Sequence, residues 1–127
     1  MIRIVFFDKA TKRLRAQLEP HTLGPEFAMA SWLTWSKHLS AVVLYDDDRV
    51  IGWSGMDRDN LHEAELGVFV DEAYRGQGLG RLVVEALLYR VASQPKHHKD
   101  VWVEAGHRKL YDPLLKRYGF VGHYEPR

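Results

Sequence analysis

The stretch "YRGQGLGRL", Tyr74 to Leu82, holds the residues whose spacing points most directly to chemistry. Gly76, Gly78 and Gly80 recur at every second position between Arg75 and Arg81, and an apolar, helix-like run follows at once. The start of a helix leaves backbone N–H groups unpaired and carries the positive end of the helix dipole, so a glycine loop opening a helix is a seat for an anion. Glycine lets a phosphate approach those N–H groups without meeting a Cβ. Arg75 and Arg81 add charge and forked donors at either end, which suits a pyrophosphate better than a carboxylate. The ligand-free alternative is a tight turn from strand to helix.

Spacing separates the phosphate motifs that compete for these glycines. A P-loop ends in Gly-Lys-Ser or Gly-Lys-Thr, and neither occurs. A dinucleotide fingerprint would use Gly76 and Gly78 but then needs a small residue where Arg81 stands, so that helix and sheet pack closely. Glu104 falls near the place of a ribose-binding acid, yet only 23 residues follow it (127 − 104), too few for the second half of such a fold.

The elements that must position this loop follow from hydrophobic periodicity. "MIRIVFFD" reads as a first strand, too short and too polar for a signal peptide's apolar region or a membrane span. Ala10, Leu14 and Leu18 have helical spacing up to Pro20, and a second helix runs from Pro25 through Phe27, Met29, Ala30, Leu33 and Trp35 to Leu39. "AVVLY" and "RVIGWSGM" flank Asp46-Asp47-Asp48 as two strands joined by a solvated turn, which explains the aspartates without a metal. "AELGVFV" is the strand before the loop and "GLGRLVVEALLYRVAS" the helix after it. "DVWVEAG" is a strand, "KLYDPLLKRY" a helix capped by Gly119, and "FVGHY" a last strand.

With Arg75, Gly78 and Gly80 the loop has the form R-x-x-G-x-G directly after a strand, and here the chain resembles the GNAT superfamily of N-acetyltransferases, whose defining motif is Q/R-x-x-G-x-G/A. The similarity extends over "AELGVFVDEAYRGQGLGRLVVEALL", over the order of elements and over "RYGF", Arg117 to Phe120. The resemblance implies one α/β (α+β) domain over residues 1–127: a mixed, mostly antiparallel sheet with helices on both faces and splayed central strands. It implies acetyl-CoA as cosubstrate, with the pyrophosphate on Arg75, Gly76, Gln77, Gly78, Leu79 and Gly80, and Arg81 nearby. The pantetheine arm would pair with backbone at Val68, Phe69 and Val70, where strands that part leave amides and carbonyls to satisfy. An N–H near Phe69 or Val70 would also stabilise the oxyanion formed as an amine attacks the thioester.

An amine with a pKa of about 10.4 is deprotonated in about one molecule per few thousand at neutral pH, so the reaction needs a base. Glu65, on the central strand, is the first candidate; its other reading is a solvent-facing strand residue opposite the apolar set Leu66, Val68 and Val70. Glu104 and His107 come next. Many family members carry a tyrosine four residues before the Gly-Phe pair as proton donor to the thiolate; here that place is Leu115. Tyr111, one turn earlier, takes the role in this reading, while Tyr118 packs. The asparagine often found at the start of this helix is missing too. For the acceptor site the resemblance points to Trp32, Trp35 and Trp53, an aromatic wall for a cationic or flat amine. Trp32 and Trp35 cannot both point inward beside Leu33, so one faces the cleft or a protein contact, and a homodimer stays open.

The bulk numbers agree with such an enzyme. Hydrophobic residues make up 46% of the 127 and charged ones 28%, with Lys+Arg 18 against Asp+Glu 17, which argues against a nucleic-acid binder. Cysteine is absent, so disulfides, thiolate nucleophiles and Cys-based zinc sites are excluded, in keeping with a cytoplasmic protein. No acid with ligand spacing accompanies His97-His98, and no metal is expected. The acceptor is a small-molecule amine or a protein lysine or N-terminus. The rival reading is an acyl-CoA-binding or protein-interaction module with weak or no catalysis, raised by the missing tyrosine and asparagine.

Overall fold

The computed structural model describes residues 1–8, 11–18, 39–57, 64–94, 99–104 and 108–125. Among them are six strands, β1 (Ile2–Phe7), β2 (Leu39–Asp46), β3 (Arg49–Asp57), β4 (Ala64–Val70), β5 (Asp100–Glu104) and β6 (Val121–Glu125). Three helices accompany them: α1 (Lys12–Leu18), α2 (Leu79–Ala92) and α3 (Arg108–Arg117). The expected second helix, with Trp32 and Trp35, lies outside the described residues, as does His107.

The strands form one sheet in chain order, β1-β2-β3-β4-β5-β6. The ladders from β1 to β4 are antiparallel; β4–β5 and β5–β6 are parallel. Parallel neighbours need crossovers, and α2 and α3 supply them. Because successive crossovers share one hand and step in one direction, both helices fall on the same sheet face.

That face carries the larger core. Val83, Val84, Leu87, Leu88 and Val91 of α2 and Tyr111, Leu114 and Leu115 of α3 pack on Val42, Leu44, Leu66, Val101 and Val103 of the sheet. Burying each large aliphatic side chain contributes about 1.5–3 kcal/mol, which holds both crossovers down. The opposite face carries a smaller core, where Leu14 and Leu18 of α1 meet Ala41, Val43, Tyr45 and Trp53. Thr11 starts α1, its Oγ1 accepting from the Leu14 N–H at 3.1 Å. α3 ends at Gly119 (φ 81°), with the Phe120 N–H bonded to the Leu115 carbonyl at 2.8 Å, the left-handed stop the sequence predicts.

The central ladders differ in extent. β3 and β4 pair from Gly52↔Val70 to Asp57↔Glu65, whereas β4 and β5 pair only at Ala64↔Val101 and Glu65↔Trp102. Beyond Glu65 the two parallel strands part.

Candidate active site

The parting of β4 from β5 opens toward the N-terminus of α2. Val68, Phe69 and Val70 lie past the last β4–β5 pair, each half-buried. The chain leaves β4 through a short 3-10 turn, Glu72–Tyr74, and enters α2 at Leu79. Asp71 caps that turn, its Oδ1 accepting from the Ala73 N–H at 3.1 Å, while its own N–H bonds the Ile51 carbonyl at 2.8 Å. Arg49 Nη2 meets Asp71 Oδ2 at 2.9 Å, and Tyr74 donates its phenol hydrogen to Asp46 Oδ2 at 2.7 Å. The Tyr74 bond, more than any other interaction, holds the Asp46 carboxyl below the usual range, and the same bond raises the Tyr74 phenol.

Gly76 and Gly78 have φ of 81° and 78°, a backbone that L side chains rarely adopt, and a Cβ on either would meet nothing within 4 Å. The glycines therefore serve the turn and leave open space above it. Gly80 differs: its Cβ would touch only Val70 Cγ2, at 3.6 Å. Gly78 is the N-cap of α2 and offers no side-chain cap, so the first N–H groups of the helix have no such partner. Arg75, Gly76, Gln77, Gly78 and Arg81 are exposed; Leu79 and Gly80 are half-buried. Arg75 Nε donates to the Val70 carbonyl at 2.9 Å, which ties the arginine to the end of β4.

The residues expected to move protons are dispersed. Glu65 stands at the last β4–β5 pair, half-buried, at the vertex of the gap. Its partner across β3–β4 is Asp57, 9% exposed, a second carboxyl at that end of the sheet that the sequence reading passed over. Glu104 ends β5, opposite Glu125 in register, and its side chain lies outside the described residues. Tyr111 is 2% exposed inside the main core, beside Leu114 and Leu115 on the inner side of α3. Tyr111 and Leu115, one turn apart, share a face of α3, and that face meets the sheet. Pro113 lies within α3. Tyr118 is half-buried, its hydroxyl donating to Glu85 Oε2 at 3.1 Å and its ring edge-on to Tyr89.

Trp53, expected in the acceptor wall, is fully buried and stacks on Phe69 with centroids 6.4 Å apart. It belongs to the smaller core because its strand position faces α1. Sequence reasoning also missed a phenol on β6: Tyr124 donates to Asp112 Oδ1 at 2.6 Å under the Arg108 guanidinium. Burial first, and the Asp112 bond second, push its pKa up to about 12. Contacts 12 to 33 residues apart leave no periodic signal, which is why none of these pairs could be read from spacing. Among the described residues, no group of three or more His, Asp or Glu is placed to hold a metal ion, and no helix is long and apolar enough to cross a membrane.

A mixed sheet whose parallel strands part below a glycine-lined helix N-terminus is the α/β arrangement that the resemblance to acetyltransferases implies. The sequence matches the acetyltransferase (GNAT) family over residues 8–120, and the chain belongs to that family. Solved structures of similar fold include a probable acetyltransferase of unknown function from meticillin-resistant Staphylococcus aureus. It is 23% identical, with 95% of this chain and 90% of that one covered and a TM-score of 0.58. Escherichia coli ElaA is 16% identical over 89% of this chain and 85% of its own, with a TM-score of 0.62. A predicted acetyltransferase from Clostridium acetobutylicum, solved with acetyl-CoA, is 16% identical over 98% and 93%, with a TM-score of 0.57. Curated proteins give no sequence match.

Proposed function

We propose that the protein moves an acetyl group from acetyl-CoA directly to a primary amine through a ternary complex. The observation that carries this reading is the gap between β4 and β5, which opens toward the uncapped, glycine-lined start of α2. A diphosphate seated at residues 75–80 gains the helix dipole and the flanking arginines. The pantetheine arm then runs along Val68–Val70 in the place a paired strand would take, with its thioester toward Glu65. The acetyl-CoA complex of the similar Clostridium acetobutylicum protein supports this choice of cosubstrate.

Glu65 takes a proton from the acceptor ammonium, directly or through water, and the free amine attacks the thioester carbonyl. The new C–N bond forms a tetrahedral oxyanion whose nitrogen still carries one surplus proton; that proton passes to water as collapse breaks the C–S bond and releases the thiolate. A thiol with a pKa of about 8.5 leaves as its anion without an obligatory donor, so the burial of Tyr111 does not stop the reaction. No cysteine exists to carry the acetyl group, hence direct transfer without an acetyl-cysteine intermediate. Glu104 and His107 are the alternative bases. Trp32 and Trp35 remain assigned to the acceptor side, small amine or protein lysine or N-terminus.

One observation favours a second reading, a module that binds acyl-CoA without turnover: both Tyr111 and Leu115 are packed away in the core. Purified protein separates the two. Calorimetry with CoA should show binding, and acetyl-CoA with a panel of amines should release thiol. Binding without release for every amine and lysine peptide would establish the module; absence of binding would defeat both.

A further inference from the structure

We infer that the β2–β3 hairpin is a bracket that sets the height of the cofactor loop, and that Tyr74 and Asp46 are its positioning residues. This rests on the reading of residues 75–80 as the diphosphate seat. The hairpin ends in Asp46 and Arg49, which are register partners across the turn. Each reaches over to one end of the four residues, 71–74, that precede the loop. Arg49 holds Asp71 at 2.9 Å, and Asp46 holds the Tyr74 phenol at 2.7 Å. Asp71 and Tyr74 are themselves joined, the Tyr74 N–H bonding the Asp71 carbonyl at 2.8 Å.

The result is a closed circuit, Asp46–Tyr74–Asp71–Arg49, standing between a rigid antiparallel hairpin and the first residue of the loop. Tyr74 is covalently next to Arg75, and its half-buried ring also packs on the main core. Rotation of the ring is thus blocked from below and the hydroxyl fixed from the side. With φ near 80° at two positions, the glycine loop has many conformations open to it, and a seat for two phosphates works only if its N–H groups are already aimed. The bracket limits that freedom at the point where the loop begins. Neither residue touches a ligand in this account; both act through the backbone of residues 75–80.

The test uses the full chain and two acyl donors. Acetyl-CoA carries the diphosphate, whereas S-acetylpantetheine lacks it but presents the same thioester. Tyr74→Phe keeps the ring and removes only the hydroxyl. It should lower kcat/KM for acetyl-CoA about fivefold to tenfold, the worth of about one hydrogen bond, through KM with kcat retained. For S-acetylpantetheine kcat/KM should stay within about twofold. Asp46→Ala should act like Tyr74→Phe, the double variant should be no worse than either single one, and Asp46→Asn, which still accepts the bond, should recover most of the loss. Equal loss with both donors would assign Tyr74 to the general fold and overturn the inference, as would unchanged acetyl-CoA kinetics. If the unaltered protein fails to bind CoA at all, the seat itself is misplaced, a result distinct from failure of the bracket.

Discussion

The two halves of the sheet solve the same problem differently. From β1 to β4 the strands run antiparallel and pair along most of their length, so the backbone itself keeps them together. From β4 to β6 they run parallel; β4 and β5 share two pairs, and α2 and α3 hold the outer strands from one face. A fully laddered half has no room for a ligand between its strands. A half kept in place by helices can open at one end without coming apart, because closing contacts are made by side chains away from the gap. The contrast puts the proposed cofactor groove at the junction of the two regimes, with β4 laddered along one edge and, past Glu65, released on the other.

Breaking the released side should have the largest effect. Gly78→Asp puts a side chain at φ 78° and a like charge in the proposed diphosphate seat, so calorimetry should detect no CoA binding, while thermal unfolding stays cooperative. Unchanged affinity would move the ligand elsewhere. At the vertex, Glu65→Gln should lower kcat about a hundredfold or more and remove the acidic limb of the pH–rate profile, with CoA affinity retained. An intact limb would transfer the base role to Glu104 or His107.

Two milder variants probe how α3 holds the outer strand. A Cβ at Gly122 would stand 2.9 Å from Leu115 Cδ1 and 2.9 Å from the Tyr124 hydroxyl, so Gly122→Ala should cost about 1–3 kcal/mol in denaturant unfolding. A neutral result would mean that the ends of the Leu115 and Tyr124 side chains give way to the added methyl. The smallest effect concerns Tyr124. Its folded pKa, about 12, lies above the ordinary value of 10.0, so folding favours the protonated phenol. That stabilisation is full below pH 10 and disappears as pH rises toward 12. Asp112 is shifted down, chiefly by the same bond, so its contribution is present above its ordinary value and is lost as pH falls through the lowered one. Tyr124→Phe should flatten the alkaline fall in melting temperature between pH 10 and 12; an unaltered slope would assign that fall to other groups.

Local chemistry made the glycine turn and the helices around it legible. Glycines at 76 and 78 reveal a backbone only they adopt readily, the apolar period of "LVVEALLYRV" reveals α2, and Gly119 reveals where α3 stops. The proton-transfer side was far less legible. Tyr111 and Trp53 have the chemical types a site would use, yet spacing shows only that a residue shares a face, not what covers that face. Tyr111 turned toward the sheet and Trp53 toward α1, and both were buried. The residues that fix the loop, Asp46 and Arg49, read as ordinary turn chemistry because their partners lie 28 and 22 positions away.

The sequence by itself thus determined the order of the described elements, the glycine turn at residues 76–78 and the family, since each is written in neighbours along the chain through periodicity and φ preference. Only the tertiary structure decided where β4 leaves β5, which aromatic rings face inward, and which distant side chains brace the loop. Those depend on strand register and on the faces that helices cover, and both are set when segments far apart in the chain compete to bury the same apolar surface.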